Sequence, residues 1–249
     1  MSGPTTTHFG FTDIPFSEKV GRVREVFDSV ADKYDLMNDL MSLGVHRAWK
    51  QFAVRRLRIN PGDRLLDVAG GTGDIARLMH KRLAGQGEVT IFDINGSMLR
   101  RGREKLTNQG IVSGIEWVQG NAEELPFPDN TFHTVTIAFG IRNVTQIENA
   151  IKEMVRVLRP GGQFLCLEFS KLALPYLQPA YDTYSFNILP EIGHYVTKDR
   201  DSYQYLVESI RRFPNQESLK TLLEEGGLHG VRYHNLSLGV AAIHFGRKV

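Results

Sequence analysis

From residue 64 to residue 169, short apolar runs take turns with amphipathic stretches, and this alternation constrains the fold more than any other feature of the chain. RLLDVA (64–69), EVTIFD (88–93), IEWVQG (115–120), FHTVTIAFG (132–140) and QFLCLEF (163–169) have the length and composition of strands. Residues 74–84, 96–107 and 146–158 carry apolar side chains at helical spacing. Strands separated by helices of this length form βαβ units, and βαβ units make a parallel sheet. Arg159-Pro160-Gly161-Gly162 marks a sharp turn before the fifth strand. A helix over 215–226 follows, then strands GVRYHNL and VAAIHFGRKV, separated only by Ser237-Leu238-Gly239. Three residues are too few for a crossover, so these strands form a hairpin that puts one antiparallel strand at the end of the sheet. The predicted class is α/β, with a mostly parallel seven-stranded sheet and a terminal antiparallel β-hairpin.

Ahead of the Asn60-Pro61-Gly62 turn, the spacing predicts helices. Val20, Val23, Phe27, Val30 and Tyr34 form one face over 17–38, and Trp49, Phe52, Ala53 and Leu57 another over 46–57. His46, Arg47, Lys50, Arg55, Arg56 and Arg58 lie between the latter, a run that reads as a solvated face or as a surface attracting anionic lipid. Residues 1–60 are thus expected to form a helical cap on a core over 61–249. Within that core 172–207 is an aromatic insertion, carrying Tyr176, Tyr181, Tyr184, Phe186 and Ile188, that covers a substrate.

The balance of 30 basic to 28 acidic residues gives no field that would favour nucleic acid. MSGPTTTHFGF lacks an apolar h-region, and no run is long enough to span a membrane. The one cysteine, Cys166, sits in the apolar run FLCLEF, so neither a disulfide nor a metal site is expected. A cytoplasmic protein is the expectation.

LLDVAGGTGDIA (65–76) contains G-x-G-x-x-A at Gly71, Gly73 and Ala76, and Asp93 follows at the distance of a ribose ligand. A dinucleotide would fit that fingerprint. Asp74, however, opens the helix where a pyrophosphate would sit, and its carboxylate would repel one. S-adenosylmethionine meets no such objection. Gly70, Gly71 and Gly73 admit its methionine portion, Asp93 can accept both ribose hydroxyls, and Asn121 can pair with adenine. All lie beyond carboxyl ends of strands, where open α/β sheets bind ligands.

Two longer segments are more specific. YDLMNDLMSLGVHRAW (34–49) and RVLRPGGQFLCLEFS (156–170) closely resemble the two signatures of the ubiquinone/menaquinone biosynthesis C-methyltransferases, the UbiE family. DVAGGTGD, FGIRNV (139–144) and DSYQYLVESI (201–210) are similar to family segments too, so the resemblance spans nearly the whole chain. Arg159 stands where the family more often has lysine, and Ala138 where many members have serine. The resemblance implies a Rossmann-like class I methyltransferase that methylates a ring carbon of a prenylated benzoquinol, of demethylmenaquinol, or of both. It implies S-adenosyl-L-methionine as cofactor, held by Thr72, Asp93, Asn121 and Ala122, with only a backbone contact left at Ala138. Contact with the inner membrane surface, a homodimer and a quinone-biosynthesis assembly are the partners it leaves open.

Carbon methylation needs an electron-rich ring, which a quinol provides as its phenolic proton leaves. Arg142, after the fourth strand, is expected to stabilise the developing phenolate, and Asn143 to orient a ring oxygen or a water. Tyr34 is expected to cap the cofactor or bond the quinol; its alternative is plain packing. His46, the i,i+4 pair Asp35 and Asp39, and His194 are further candidates for the base or the ring site. A nicotinamide oxidoreductase, a non-catalytic cofactor-binding subunit and a methyltransferase for a small soluble phenol are the competing readings.

Overall fold

The computed structural model describes residues 6–30, 39, 42, 44–174, 176, 178–188, 190–191 and 199–249. Its first element is an antiparallel hairpin that the helical reading of the N-terminal region did not include: β1 (Thr6–Phe9) and β2 (Thr12–Pro15). The turn depends on Gly10, at φ +57°, where a Cβ would lie 2.2 Å from the Glu208 carboxylate. Helix α1 (Phe16–Val30) follows, and then α2 (His46–Arg55).

The core alternates as the sequence predicts. Strands β3 (Asp63–Val68), β4 (Gly87–Asp93), β5 (Ile115–Gln119), β6 (Phe132–Ala138), β7 (Leu158–Phe169), β8 (His229–Leu236) and β9 (Ala241–Arg247) make one sheet in the order β5-β4-β3-β6-β7-β9-β8. The connecting helices are α3 (Asp74–Leu83), α4 (Gly96–Asn108) and α5 (Ile147–Val157). Side chains alternate across the sheet with period two. Leu65, Val89, Ile91, Leu165 and Ile243 share one buried cluster with α2 and α3. Leu66, Val68, Phe92, Val135 and Phe164 share another with α5 and with α8 (Gln216–Glu225).

Two details differ from expectation, and a third adds to it. The antiparallel strand is not at the edge: β9 lies between β7 and β8 and runs opposite to both. The Arg-Pro-Gly-Gly turn is absorbed into β7 as an irregularity, because Leu158 already pairs with Phe132, and Gly161 donates to the Lys248 carbonyl at 2.8 Å. The aromatic insertion contains regular structure: α6 (Gln178–Thr183) continues into a π-turn over Tyr184–Ile188, and α7 (Arg200–Arg212) takes up its end. Asp199 caps α7 by accepting from the Ser202 N–H.

Candidate active site

From β3 the chain moves outward to β4 and β5, then returns to β6 on the other side of β3. The crevice beyond this reversal is where open α/β sheets bind ligands. Both strands leave it through left-handed residues, Ala69 at φ +51° and Phe139 at φ +56°. Gly140 follows Phe139, and a Cβ there would lie 2.4 Å from the Cβ of Ala69, so the two exits approach as closely as backbone permits.

Two clefts open here and share Ala69, Gly71 and Phe139. The larger, about 760 Å³ of space open to solvent, is lined by Asp93, Asn121, Ala122 and Asn143, with Val20, Val23 and Phe27 of α1 also on its wall. Residues that line this cleft hold helix α1 in place. Lys19 Nζ donates to the Val144 carbonyl at 3.0 Å, and Asn95 Nδ2 donates to Asp28 Oδ1 at 3.0 Å. The smaller cleft, about 340 Å³, is lined by Gly70, Thr72 and Ala138 together with Lys50, Asp67 and Asp74.

Asp93 ends β4, and each of its oxygens accepts one backbone N–H: Gly71 to Oδ2 and Asn95 to Oδ1, both at 2.8 Å. Burial raises its pKa to about 6 against these bonds. Each oxygen keeps a lone pair for a further donor, so bonding to a diol remains open to it. Asp67, fully buried one strand away, accepts from the Thr136 hydroxyl at 2.7 Å through Oδ1, while Oδ2 has no hydrogen-bond partner among the described residues. Burial lifts its pKa to about 7. Gly70 packs against it: a Cβ there would come within 2.9 Å of that Oδ2 and block the way to it.

Asp74 is not the bare charge its sequence position suggested. Lys50 Nζ bonds its Oδ2 at 2.8 Å and Lys105 Nζ bonds its Oδ1 at 3.0 Å. Burial alone would raise its pKa, but the two lysines hold it far below the usual carboxylate range. The three groups together carry one positive charge, so repulsion of an incoming anion by Asp74 does not hold as a reason against a dinucleotide.

Arg142 lines neither cleft. It is buried, and Nη1 donates to Glu168 Oε1 at 2.6 Å and to the Phe139 carbonyl at 2.8 Å. Its charge is thus already matched by a buried carboxylate, in place of facing the larger cleft as a phenolate stabiliser would. Asn143, next in the chain, does line the larger cleft. Gly73 lines neither and serves the backbone instead, starting α3 at φ +82°. His46 is buried away from both clefts, its Nε2 paired with Asp39 Oδ1 at 2.9 Å; burial lowers its pKa. Tyr34, Asp35, His194 and the side chain of Ile188 lie outside the described residues.

Sequence reading missed Lys50, Asp67, Lys19 and Tyr205. The sequence puts Lys50 in a basic run that reads as a solvated face or as a surface attracting anionic lipid. That face splits: His46 and Lys50, one helical turn apart, turn inward with Ala53 and Leu57, and Arg47, Arg55, Arg56 and Arg58 turn out. The i,i+4 spacing from His46 to Lys50 was the available signal.

A model of the ubiE/COQ5 methyltransferase family matches residues 16–248. The chain belongs to that family. A ubiquinone/menaquinone biosynthesis C-methyltransferase UbiE of Xanthomonas oryzae pv. oryzae is 55% identical over 244 residues, covering 98% of this chain and 96% of the relative. Among solved structures, the [4+2]-cyclase SpnF superposes with a TM-score of 0.69 at 16% identity, over 92% of this chain and 96% of that one. Phosphoethanolamine N-methyltransferase 2 of Haemonchus contortus, solved with S-adenosyl-L-methionine, gives 0.57 at 15% identity, over 81% and 52%. At these identities the structures speak for the fold alone, and membership of the ubiE/COQ5 family makes the chain a methyltransferase.

Proposed function

We propose that this chain uses S-adenosyl-L-methionine to methylate a ring carbon of a prenylated benzoquinol or of demethylmenaquinol. One observation carries the cofactor: two adjoining clefts offer a diol acceptor, Asp93, at one end and a lysine with a buried carboxylate, Lys50 and Asp67, at the other. S-adenosyl-L-methionine has that order of groups, with ribose hydroxyls and then an ammonium and a carboxylate. Asp93 would take the hydroxyls and Lys50 the carboxylate. Asp67 Oδ2, without a partner and flanked by the absent side chain of Gly70, would take the ammonium. When bound, the cofactor supplies an electrophilic methyl group. The relative's name supplies the substrate class.

The chain's own residues then have to hold the quinol ring and ease loss of a proton, because a phenol ionises near pH 10 by analogy with tyrosine. Asn143 offers an amide in the larger cleft, and Phe139 an apolar wall. Position alone is worth much of such a reaction, since orientation replaces a random encounter. The ring gains a methyl and loses its hydrogen as a proton, so no redox partner is required. No helix among the described residues is long and apolar enough to cross a membrane. Contact with a bilayer would be peripheral, through the outer face of α2, where the Arg56 guanidinium lies 4.3 Å from the ring centroid of exposed Phe52.

The deciding assay offers a short-tail demethylated benzoquinol, kept reduced, with labelled S-adenosyl-L-methionine. Label on the ring carbon is the expected result. Label absent under tight cofactor binding would remove the substrate, and equal turnover of an untailed phenol would replace it with a small soluble one.

Cofactor affinity should also report pH. Ribose hydroxyls and an ammonium both favour ionised carboxylates, whereas the free protein holds Asp93 and Asp67 near pH 6 and 7. Binding therefore lowers both values and releases protons around neutrality. The affinity should fall by up to about tenfold per pH unit below pH 7, through Asp67, and more steeply below pH 6, where Asp93 joins it. Calorimetry in two buffers of different ionisation enthalpy reads the released protons directly; none released at pH 6.5 would separate these carboxylates from the ligand.

A further inference from the structure

We propose that Tyr205 is a positioning residue that turns the Asn143 amide so that its N–H₂ end, and not its carbonyl, faces the reacting ring. The inference rests on the ring-methylation reading and assigns the residue that prepares the site for it. Tyr205 lies on α7, and its hydroxyl donates to Asn143 Oδ1 at 2.9 Å. No other side-chain bond to Asn143 exists among the described residues, and Asn143 lines the larger cleft. Once the carbonyl oxygen accepts from Tyr205, the two amide hydrogens are what remains to be offered. A hydrogen-bond donor favours the ionised over the protonated form of a phenol oxygen, whereas an acceptor would do the opposite.

The hydroxyl that makes this bond is held protonated by its surroundings. Burial, with Glu168 nearby, pushes the Tyr205 phenol far above its ordinary range although Arg142 opposes this, so the hydroxyl keeps its proton and serves as donor. Its ring is fixed as well: Phe9 of β1 stacks on it with centroids 4.1 Å apart and planes 18° apart. One turn along α7, Glu208 Oε2 accepts from the Phe11 N–H at 3.0 Å, beneath Gly10. The N-terminal hairpin thus clamps the turn of α7 that carries Tyr205, and the clamp reaches the ring site through a single hydroxyl.

The test compares Tyr205→Phe and Asn143→Asp with wild type. Turnover is measured on the short-tail quinol, and ionisation on a prenylated 4-nitrophenol bound beside S-adenosyl-L-homocysteine. Wild type should lower the pKa of the bound nitrophenol below its value in water. Tyr205→Phe should lower kcat about tenfold, since a fully aimed donor is worth about 10²–10³ and part of the aim survives. The same variant should move the bound nitrophenol pKa back up by about one unit and leave cofactor affinity within about twofold. Asn143→Asp leaves α7 untouched and presents a carboxylate oxygen, so it should carry the nitrophenol pKa above the value in water. Wild-type kcat and ionisation in Tyr205→Phe would overturn the proposal. So would a kcat loss that follows thermal stability while ionisation stays put, or a nitrophenol unshifted by wild type. Shifted ionisation in a protein that methylates no quinol would sink the reaction and leave the orientation of Asn143 standing.

Discussion

Asp93→Asn is expected to weaken S-adenosyl-L-methionine binding by at least about a hundredfold. Two backbone donors, Gly71 N–H and Asn95 N–H, each point at one carboxylate oxygen. An amide can accept from one of them; toward the other it presents a second donor, and one side of the glycine loop must move. Hydrogen bonds to a charged group are worth about 1.5–3 kcal/mol each, so losing two reaches that factor. The fold should lose much less. The raised pKa of Asp93 means that burying this charge costs more than its bonds return, and the uncharged amide relieves that cost. Calorimetric titration beside a melting curve separates the two effects. Undiminished affinity would show that the ribose subsite is not at Asp93.

Glu168→Ala is expected to be the most destabilising single change in the sheet. It strands the Arg142 guanidinium, which is 4% exposed, without its counterion. Breaking a buried pair from one side costs about 3–5 kcal/mol, which in a domain of this size lowers the melting temperature by about 10 °C. Replacing both partners, Arg142→Met with Glu168→Leu, should restore most of the loss, because apolar side chains fill the same space with no charge to desolvate. That double variant also tests the chemistry. Stability and turnover both recovered would make the pair purely structural. Stability recovered without turnover would show that Arg142 reaches the ring during the reaction, its Nε being without a hydrogen-bond partner among the described residues. Failure of the double variant to fold would contradict the packing argument itself.

What the sequence disclosed follows from how far each signal reaches. The βαβ core was legible because period-two and helical patterns are local, and Leu65 and Leu66 point to opposite faces wherever their strand pairs. The position of β9 was not legible, since Ser237–Gly239 requires a hairpin but leaves open which of its strands joins β7. Gly71, Asp93, Asn121 and Asn143 line the larger cleft, and their places at strand ends are what singled them out. Lys50 was missed because a lysine in a basic run resembles a solvated one until its partner appears, and Asp74 lies 24 residues away. Arg142 illustrates the opposite case: its place after the fourth strand pointed to the ring, while in the structure it pairs with a carboxylate from another strand, 26 residues on. Tyr205 touches Asn143 across 62 residues, and no spacing rule connects them.

The interior place of β9 also bears on synthesis. Strand β8 is made first, yet its seat is at the rim, hydrogen-bonded only to a strand not yet translated. Until β9 emerges, the long apolar β7 carries an unpaired edge, the kind of surface on which nascent chains aggregate. The most C-terminal pairing with β7 joins Gln163 to Arg247, with Lys248 bonding the Gly161–Gly162 backbone just beyond. The ribosome must therefore deliver β9 before this sheet can close, and a chain that stopped short of Ala241 would leave the inner edge of β7 without its partner.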